Sequence, residues 1–196
     1  MMRWDVINAL IKRYNFKSYL EIGYESGDSF DPVECEIKEA VDPNPSKECE
    51  SCHVMTSDAY FENNTPEFDI VFIDGLHDYE QVKRDFDNSL KFAKVIVLHD
   101  MNPENEEQAK PFKDGGGWCG DCYKVAIDMY NGEYGLHYLT VDCNFGCGVV
   151  FNTEINMDKQ GNIITRDYES FAANRNQILN LISETEFINL LQDGDF

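Results

Sequence analysis

The sequence predicts an α/β protein built on a doubly wound, mostly parallel sheet. The first indication is a pair of apolar runs, FDIVFID and KVIVLHD, which lack the polar alternation of a half-exposed strand. Strands that are apolar on both faces are typical of parallel sheets covered by helices on each side. The second indication is that stretches with helical apolar spacing separate the early strands, whereas two strands follow one another near residue 140. This order of elements favours the doubly wound class.

The elements can be placed in order along the chain. A first helix is predicted over residues 3–14, and five strands are predicted in KSYLEIG, IKEAVDP, HVMTSDAYF, FDIVFID and KVIVLHD. Further helices are expected from Ser57, over residues 79–92 and over residues 121–131, and residues 101–120 form a long loop.

The end of the chain continues this pattern and then departs from it. GLHYLTVD and GCGVVFN are predicted as two late strands, INMDKQGNII as a surface hairpin turning at Gln160–Gly161, and residues 168–192 as helical. We therefore expect one domain over residues 1–152, with residues 153–196 as a hairpin and helical extension packed on the same domain.

Composition excludes several classes of partner. The 196 residues carry a formal net charge of −21, and a field of that sign repels nucleic-acid phosphates and anionic membrane surfaces. No run approaches the ~18 apolar residues of a membrane span. The start of the chain, MMRWDVINALIKRYNF, reads as a mature helix and not as a signal peptide.

Cysteine usage favours a reducing compartment. Seven cysteines, an odd number, without a signal peptide indicate reduced thiols and a cytoplasmic location. The pairs Cys49–Cys52 and Cys119–Cys122 have the spacing of zinc half-sites, but the long gap between them is unlike a zinc ribbon. Free, buried thiols are the favoured interpretation.

Polar residues follow five consecutive predicted strands. They are Glu21 and Gly23, Asp42, Asp58, Asp74 and His77, and His99 and Asp100. In doubly wound sheets, ligands bind outside the carboxyl ends of the strands, near the point where strand order reverses. The pattern therefore predicts a binding site along this edge.

The loop after the first strand, EIGYESG, restricts the ligand. Its glycines are not spaced as in the G-x-G-x-x-G of a dinucleotide site, and the acids Glu21, Glu25 and Asp28 would oppose a pyrophosphate. A ligand with a sulfonium or ammonium group and no phosphate fits better, and S-adenosylmethionine is such a ligand. Asp42 is placed to accept hydrogen bonds from ribose hydroxyls.

Several motifs in order resemble the class I S-adenosylmethionine-dependent methyltransferases. EIGYESGDSF, VDP, FIDGLHDYEQV and HDMNP match a subgroup of this class, and the likeness continues through GWCGDCYK and Asp142 to Val150. It spans roughly residues 17–151. It implies a Rossmann-like, seven-stranded sheet whose last strand is antiparallel.

The resemblance also implies which residues bind the cofactor. Those residues are Glu21, Gly23, Tyr24, Gly27, Ser29, Phe30, Asp42, Asp58, Ala59 and Asp74. Glu21 and the glycine loop would hold the methionine part, and Asp58 would lie near the adenine. Phe30, together with Tyr60 and Phe61, packs either on the adenine or in the core.

Asp74, His77 and Asp100 carry the predicted chemistry. Asp74 and Asp100 end neighbouring strands about 4.8 Å apart, so both carboxylates could bind Mg²⁺ or another divalent cation. The alternative is that Asp74 only contacts the cofactor. Metal-dependent O-methyltransferases that act on sugars have the same Asp-x-x-His pattern, which implies His77 as the general base. The alternative for His77 is a helix-start residue, and His99 is a further ligand, an orienting group or a buried histidine.

Nearby residues have structural interpretations. Asp78 and Gln81 form the Asp-x-x-Gln pattern of a helix cap, and Asp85 is expected on the surface or as a loop anchor. Trp118 and Asp121 either line the acceptor side, or pack beneath the loop and cap the next helix.

The predicted function is methyl transfer from S-adenosylmethionine to a hydroxyl of a small molecule or sugar. The alternatives are a non-catalytic cofactor-binding module of the same fold and a nicotinamide-dependent oxidoreductase. No nucleic acid or membrane partner is expected, and the C-terminal helices could form a homo-oligomer contact.

Overall fold

The computed structural model describes residues 1–63, 66–112, 117–154 and 163–194. The strands in these ranges are β1 (Ser18–Ile22), β2 (Ile37–Val41), β3 (Cys52–His53), β4 (Phe68–Ile73), β5 (Ala93–Leu98), β6 (Leu136–Val141), β7 (Cys147–Glu154) and β8 (Leu181–Ile182). The helices are α1 (Arg3–Tyr14), α2 (Ser57–Glu62), α3 (Tyr79–Ser89), α4 (Tyr123–Tyr130), α5 (Tyr168–Leu179) and α6 (Glu184–Asp193).

One sheet organises these elements, in the order β3-β2-β1-β4-β5-β7-β6-β8. Strands β1 to β5 pair in parallel, and β7 runs antiparallel to both β5 and β6. The predicted doubly wound sheet, with the last of its seven strands antiparallel, is therefore confirmed. Strand order reverses between β1 and β4, which places a crevice at their carboxyl ends.

The described part of the sheet has an eighth strand that the sequence did not predict. Residues 168–192 were expected to be helical throughout, but Asn180 ends α5 in the left-handed conformation (φ 43°). Its side-chain amide donates to the carbonyl of Tyr138 on β6 (3.1 Å), so Leu181 and Ile182 run alongside β6. Asparagine adopts this conformation more readily than most residues, which explains the break.

The core lies on both faces of the sheet. Val71 faces a cluster that contains Phe86 of α3 and Phe171 of α5, whereas Phe72 faces a second cluster that contains Phe187 of α6. The absence of polar alternation in FDIVFI is explained by these two covered faces. None of the helices in the described ranges is long and apolar enough to cross a membrane. The predicted hairpin turn at 160–161 lies outside the described residues, and the division at residue 152 stays a prediction.

Candidate active site

A cavity of about 850 Å³ opens at the carboxyl ends of β1, β2, β4 and β5. Most of the predicted site residues line it, namely Gly23, Tyr24, Ser29, Asp42, Asp58, Asp74, His77 and Asp100. Glu21, Gly27, Phe30 and Ala59 were also predicted to bind the cofactor but are not among its lining residues. The strand-end pattern therefore identified one continuous cavity, and of its members Glu21 alone does not line it. The other three residues outside the lining were predicted from the family resemblance.

Glu21 lies beneath the cavity floor. Only 1% of the residue is exposed, and its carboxylate accepts a hydrogen bond from the Tyr19 hydroxyl. Burial raises the pKa of Glu21 to about 8, even though the Tyr19 hydrogen bond acts in the opposite direction. Because Glu21 and Tyr19 are two residues apart on β1, both project onto the same face of the sheet.

The other three residues outside the cavity have packing roles. Phe30 packs edge-on against Tyr24, with 5.5 Å between ring centroids, so the core interpretation applies to it. Ala59 donates its N–H to Thr56, which caps α2 (3.2 Å). Gly27 has a positive φ of 82° and packs over the Tyr24 ring. Tyr60 and Phe61 likewise belong to the core.

Gly23 allows two strand ends to approach each other. Its φ is 96°, and a Cβ at this position would lie 2.1 Å from the carbonyl oxygen of Asp74. Only glycine fits here, because the turns after β1 and β4 are in contact and leave no room for a side chain. This contact places the EIGYESG loop beside Asp74. Asp42 holds the neighbouring loop, because its carboxylate accepts the N–H groups of Glu25 (2.8 Å) and Asn44 (2.7 Å).

A second acid contributes to the cavity near Asp58. Asp85 was expected on the surface or as a loop anchor, but only 1% of the residue is exposed and it lines the cavity. The Gln81 amide donates to Asp85 (3.0 Å) and to Ser57 (3.1 Å). Burial raises the pKa of Asp85 to about 6. The surface interpretation failed because Asp85 is the neighbour of Phe86, which belongs to the buried stripe of α3. At the edge of such a stripe, a shift of one position along the helix determines whether a side chain is exposed or buried.

Two histidines and two aspartates form a compact cluster at the ends of β4 and β5. His77 Nε2 lies 3.4 Å from Asp74 Oδ1, and His77 Nδ1 lies 3.2 Å from Asp100 Oδ2. His99 Nδ1 lies between the same two carboxylates, 3.1 Å from Asp74 and 3.3 Å from Asp100. The predicted convergence of Asp74 and Asp100 is therefore present, with an imidazole on each side.

The electrostatic environment of the cluster favours the charged forms of Asp74, His77 and His99. Burial would raise the pKa of Asp74, but the adjacent His99 and His77 hold it well below its usual range. Burial opposes protonation of His99, yet Asp74 and Asp100 raise its pKa to about 10. The same carboxylates raise the pKa of His77 against the effect of burial.

The two histidines are held in different ways. His99 is 6% exposed and bonded at both nitrogens, since Nε2 also contacts the Asn144 carbonyl at 2.7 Å. The side chain of His77 is 20% exposed, lines the cavity, and stacks on Trp118 with ring centroids 4.8 Å apart. Its buried Nδ1 makes no hydrogen bond. His77 thus faces the cavity and remains the base candidate, whereas His99 is a buried histidine bonded at both nitrogens.

Asp74, His77 and Asp100 have a donor set that suits a divalent cation. One ligand atom from each lies within 4.8 Å of the others, and these three form the one such group found among the described residues. Two carboxylates and an imidazole are common ligands of divalent metals. The buried His77 Nδ1 makes no hydrogen bond, which also fits a nitrogen placed to contact a bound cation. The seven cysteines are free thiols.

The segment after the long loop is anchored to the His77 turn. Asp121 accepts the N–H of Tyr79 (2.6 Å), so it caps the start of α3 and not the helix that follows it in sequence. Asp78 is the N-cap of α3, as predicted, although the Gln81 side chain points to the cavity and does not complete a capping box. Trp118 lines the cavity, packs on His77 and donates its ring N–H to the Lys110 carbonyl of the loop (2.6 Å), so it packs against the loop as considered. A contact with the acceptor stays a prediction.

Replacing Gly120 with alanine is expected to displace His77. The added Cβ would lie 1.9 Å from the His77 carbonyl oxygen and 2.5 Å from its Cβ, at a φ of 65°. Gly117 is the matched control, since it has a φ of 71° but its nearest atoms would be 3.5 Å away. We expect Gly120→Ala to lower the melting temperature and activity clearly more than Gly117→Ala does. Equal effects of the two variants would contradict this packing argument.

Arg3 and Phe145 are cavity residues that sequence reasoning missed. Arg3 of α1 lies 3.4 Å from Asp74 Oδ2 and donates to Ser29 and to the Asn144 side chain. Asn144 and Phe145 come from the loop between β6 and β7, and Phe145 lines the cavity. No local motif marks Arg3, because only tertiary packing brings the first helix to the strand ends.

Comparison with known proteins agrees with this geometry. Residues 25–101 match a family described as a methyltransferase domain. No curated protein matches the sequence closely enough to count as a relative. The matched range begins within the glycine loop, at Glu25, and contains Asp42, Asp58 and the Asp74–Asp100 cluster.

Solved structures share the fold. A Staphylococcus aureus protein assigned as a caffeoyl-CoA O-methyltransferase aligns with a TM-score of 0.55 and 17% identity, over 76% of this chain and 81% of that chain. The O-methyltransferase TomG from Streptomyces achromogenes, solved with S-adenosylmethionine, aligns with a TM-score of 0.52 and 15% identity, over 74% and 78% of the two chains. The predicted resemblance agrees with both comparisons: residues 25–101 resemble a methyltransferase domain, and the chain shares the Rossmann-like fold of solved O-methyltransferases.

Proposed function

We propose that the protein is an O-methyltransferase that transfers the methyl group of S-adenosylmethionine to a hydroxyl of a small molecule or sugar. The observation that supports this most strongly is the position of the Asp74, His77 and Asp100 cluster. It lies at the switch in strand order, beside the glycine loop and inside the cavity. In this position a base would meet a ligand held by the loop.

The cofactor would lie across the strand ends. Asp42 would accept hydrogen bonds from the ribose hydroxyls, and Asp58, Gln81 and Asp85 would surround the adenine. Tyr24 and the Gly23 turn would contact the methionine part. This placement sets the sulfonium beside Asp74, because the Gly23 turn packs directly on the Asp74 carbonyl.

Methyl transfer to oxygen requires alignment and removal of a proton. The methyl donor is already activated, so much of the rate comes from holding the hydroxyl, methyl and sulfur in line. His77 would take the hydroxyl proton at the nitrogen that faces the acceptor, and Asp74 and Asp100 would stabilise the resulting imidazolium. A divalent cation bound by Asp74 and Asp100 would lower the pKa of a coordinated hydroxyl.

Two observations disfavour the rival functions. A non-catalytic module would have no need for a cavity-facing histidine between two carboxylates. A nicotinamide dinucleotide would bring its pyrophosphate against Glu25 and Asp28, which line the cavity. The seven free cysteines support a cytoplasmic location, and a homo-oligomer through the C-terminal helices stays a prediction.

Calorimetry and a transfer assay test the proposal together. The protein should release or absorb heat on binding S-adenosylmethionine, and should transfer labelled methyl groups to members of a panel of hydroxylated acceptors. Absence of binding at millimolar cofactor would refute the proposed function. Parallel assays with EDTA, and with EDTA followed by excess Mg²⁺, test the cation, since transfer that is unchanged by EDTA would refute the metal role alone.

A further inference from the structure

Phe145 is an exposed aromatic residue held in an unfavourable backbone conformation. Its φ is 65°, in the left-handed region, and Asn144 before it has a φ of 42°. Bulky residues rarely adopt this conformation, because their Cβ comes too close to the neighbouring carbonyl oxygen. The ring is nevertheless 39% exposed and lines the cavity. Strain of this kind clusters at functional sites.

The surrounding backbone fixes this conformation. The carbonyl of Phe145 accepts the N–H of Asn102 (2.8 Å), and the carbonyl of Asn144 contacts His99 Nε2 (2.7 Å). At Gly146, a Cβ would lie 2.5 Å from the Cβ of Asn102, so the chain must pass close to the segment after Asp100. The backbone contacts with His99 and Asn102 therefore fix the position of Phe145 beside the cavity.

The Phe145 ring is packed only in part, with one edge beside Gly117. Phe145 makes no ring contact with another aromatic residue in the described part of the chain. Leu76, between Asp74 and His77, is 61% exposed and also lines the cavity. Trp118 lines it as well, stacked on His77. These three residues, Leu76, Trp118 and Phe145, are termed the apolar rim.

The remainder of the cavity wall is strongly acidic. Seven carboxylates line it, those of Glu25, Asp28, Asp42, Asp58, Asp74, Asp85 and Asp100. Arg3 is the one lysine or arginine among the described lining residues, and it is engaged by Asp74, Ser29 and Asn144. A phosphorylated acceptor would meet repulsion from this wall.

We infer that the acceptor is a hydroxylated aromatic compound without phosphate groups, whose ring contacts the apolar rim while its hydroxyl faces His77. Phe145 and Leu76 are then specificity-determining residues. The inference rests on the proposed function and narrows it, since it excludes free sugars and coenzyme A thioesters as preferred acceptors. An exposed apolar surface beside a reactive centre is a common way to bind the non-reacting part of a substrate.

The Phe145→Asn variant tests the inference sharply. Asparagine tolerates the left-handed region, so the variant should melt at the same or a higher temperature than the wild type. Its kcat/KM should fall about tenfold or more on aromatic probes, because an apolar contact is lost. The affinity for S-adenosylmethionine should stay within about twofold of wild type. Leu76→Asn should show the same pattern of losses, and Phe112→Asn, an aromatic residue 60% exposed outside the cavity lining, should not.

The probes are catechol, naphthalene-2,3-diol, caffeoyl-coenzyme A and methyl glucoside, assayed with labelled cofactor. We expect wild-type transfer to the two free diols in preference to the other two compounds. Preference for methyl glucoside or for the thioester, cofactor binding with no transfer to either diol, or an unchanged kcat/KM in Phe145→Asn would each overturn the inference. Transfer to the glucoside alone would leave the proposed function standing, whereas absence of cofactor binding would remove the proposed function itself.

Discussion

Replacing Asp74 with asparagine is expected to lower methyl transfer by roughly 10⁴-fold, the loss seen when an orienting carboxylate beside a catalytic histidine is neutralised. Asp74 contacts His77 and His99 through Oδ1 and Arg3 through Oδ2. Asparagine would remove the negative charge that these three side chains contact. It would also remove one of the two carboxylates proposed to bind a divalent cation.

The assay is single-turnover transfer of labelled methyl groups by purified protein whose folding has been checked by circular dichroism. Asp69→Asn is the matched control, since Asp69 starts the same strand at its opposite end and pairs with Lys94 (2.6 Å). The control should retain near wild-type transfer once folded. A folded Asp74→Asn protein with transfer within tenfold of wild type would contradict the assignment.

Exchange of His77 for asparagine should separate chemistry from stability. As the cavity-facing base, His77 should account for about 10²–10⁴-fold of the rate. The affinity for S-adenosylmethionine should change little. The melting temperature should fall less than it does in His99→Asn, because the His77 side chain is 20% exposed whereas His99 is 6% exposed.

His99→Asn is the informative comparison, because His99 is bonded at both nitrogens in the same cluster. Its pKa of about 10 in the folded protein exceeds the ordinary value of 6.5. Its contribution to stability is therefore complete below about pH 6.5 and is lost as the pH rises through 10. Melting temperatures measured from pH 6 to pH 10 should fall in the wild type and fall less steeply in His99→Asn. If the melting temperature of His99→Asn fell with pH as steeply as that of the wild type, the role given to His99 would be contradicted. Full turnover in His77→Asn would contradict the role given to His77.

The sequence allowed the active-site edge to be predicted because parallel strands end together. Asp74 and Asp100 each follow a buried strand directly, so their meeting depends only on β4 and β5 being neighbours. Glu21 shows where this reasoning is limited. It lies inside β1 and projects onto a face of the sheet with Tyr19, whereas residues just beyond a strand project over its end.

Other features depended on packing that no local pattern encodes. Asp85 and Phe86 are neighbours on one helix, and the docking angle of α3 determines that both are buried. Arg3 and Phe145 reach the cavity from the first helix and the last long hairpin. The break at Asn180 was also missed, since the apolar spacing of residues 168–192 suits one helix as well as two.

The contacts of Arg3 also have a consequence for biosynthesis. Arg3 and Asn144 are separated by 141 residues, and the N-terminal ammonium pairs with Glu184, 183 residues away. At ribosomal speeds of about 5–20 residues per second, roughly 7–30 seconds pass between the synthesis of Arg3 and that of its partner in the β6–β7 loop. During that interval Asp74 and His77 can exist in a nascent sheet in which Arg3 and His99 still lack their contacts with Asn144. The nascent chain therefore acquires the complete set of contacts around Asp74 only after the late hairpin has emerged.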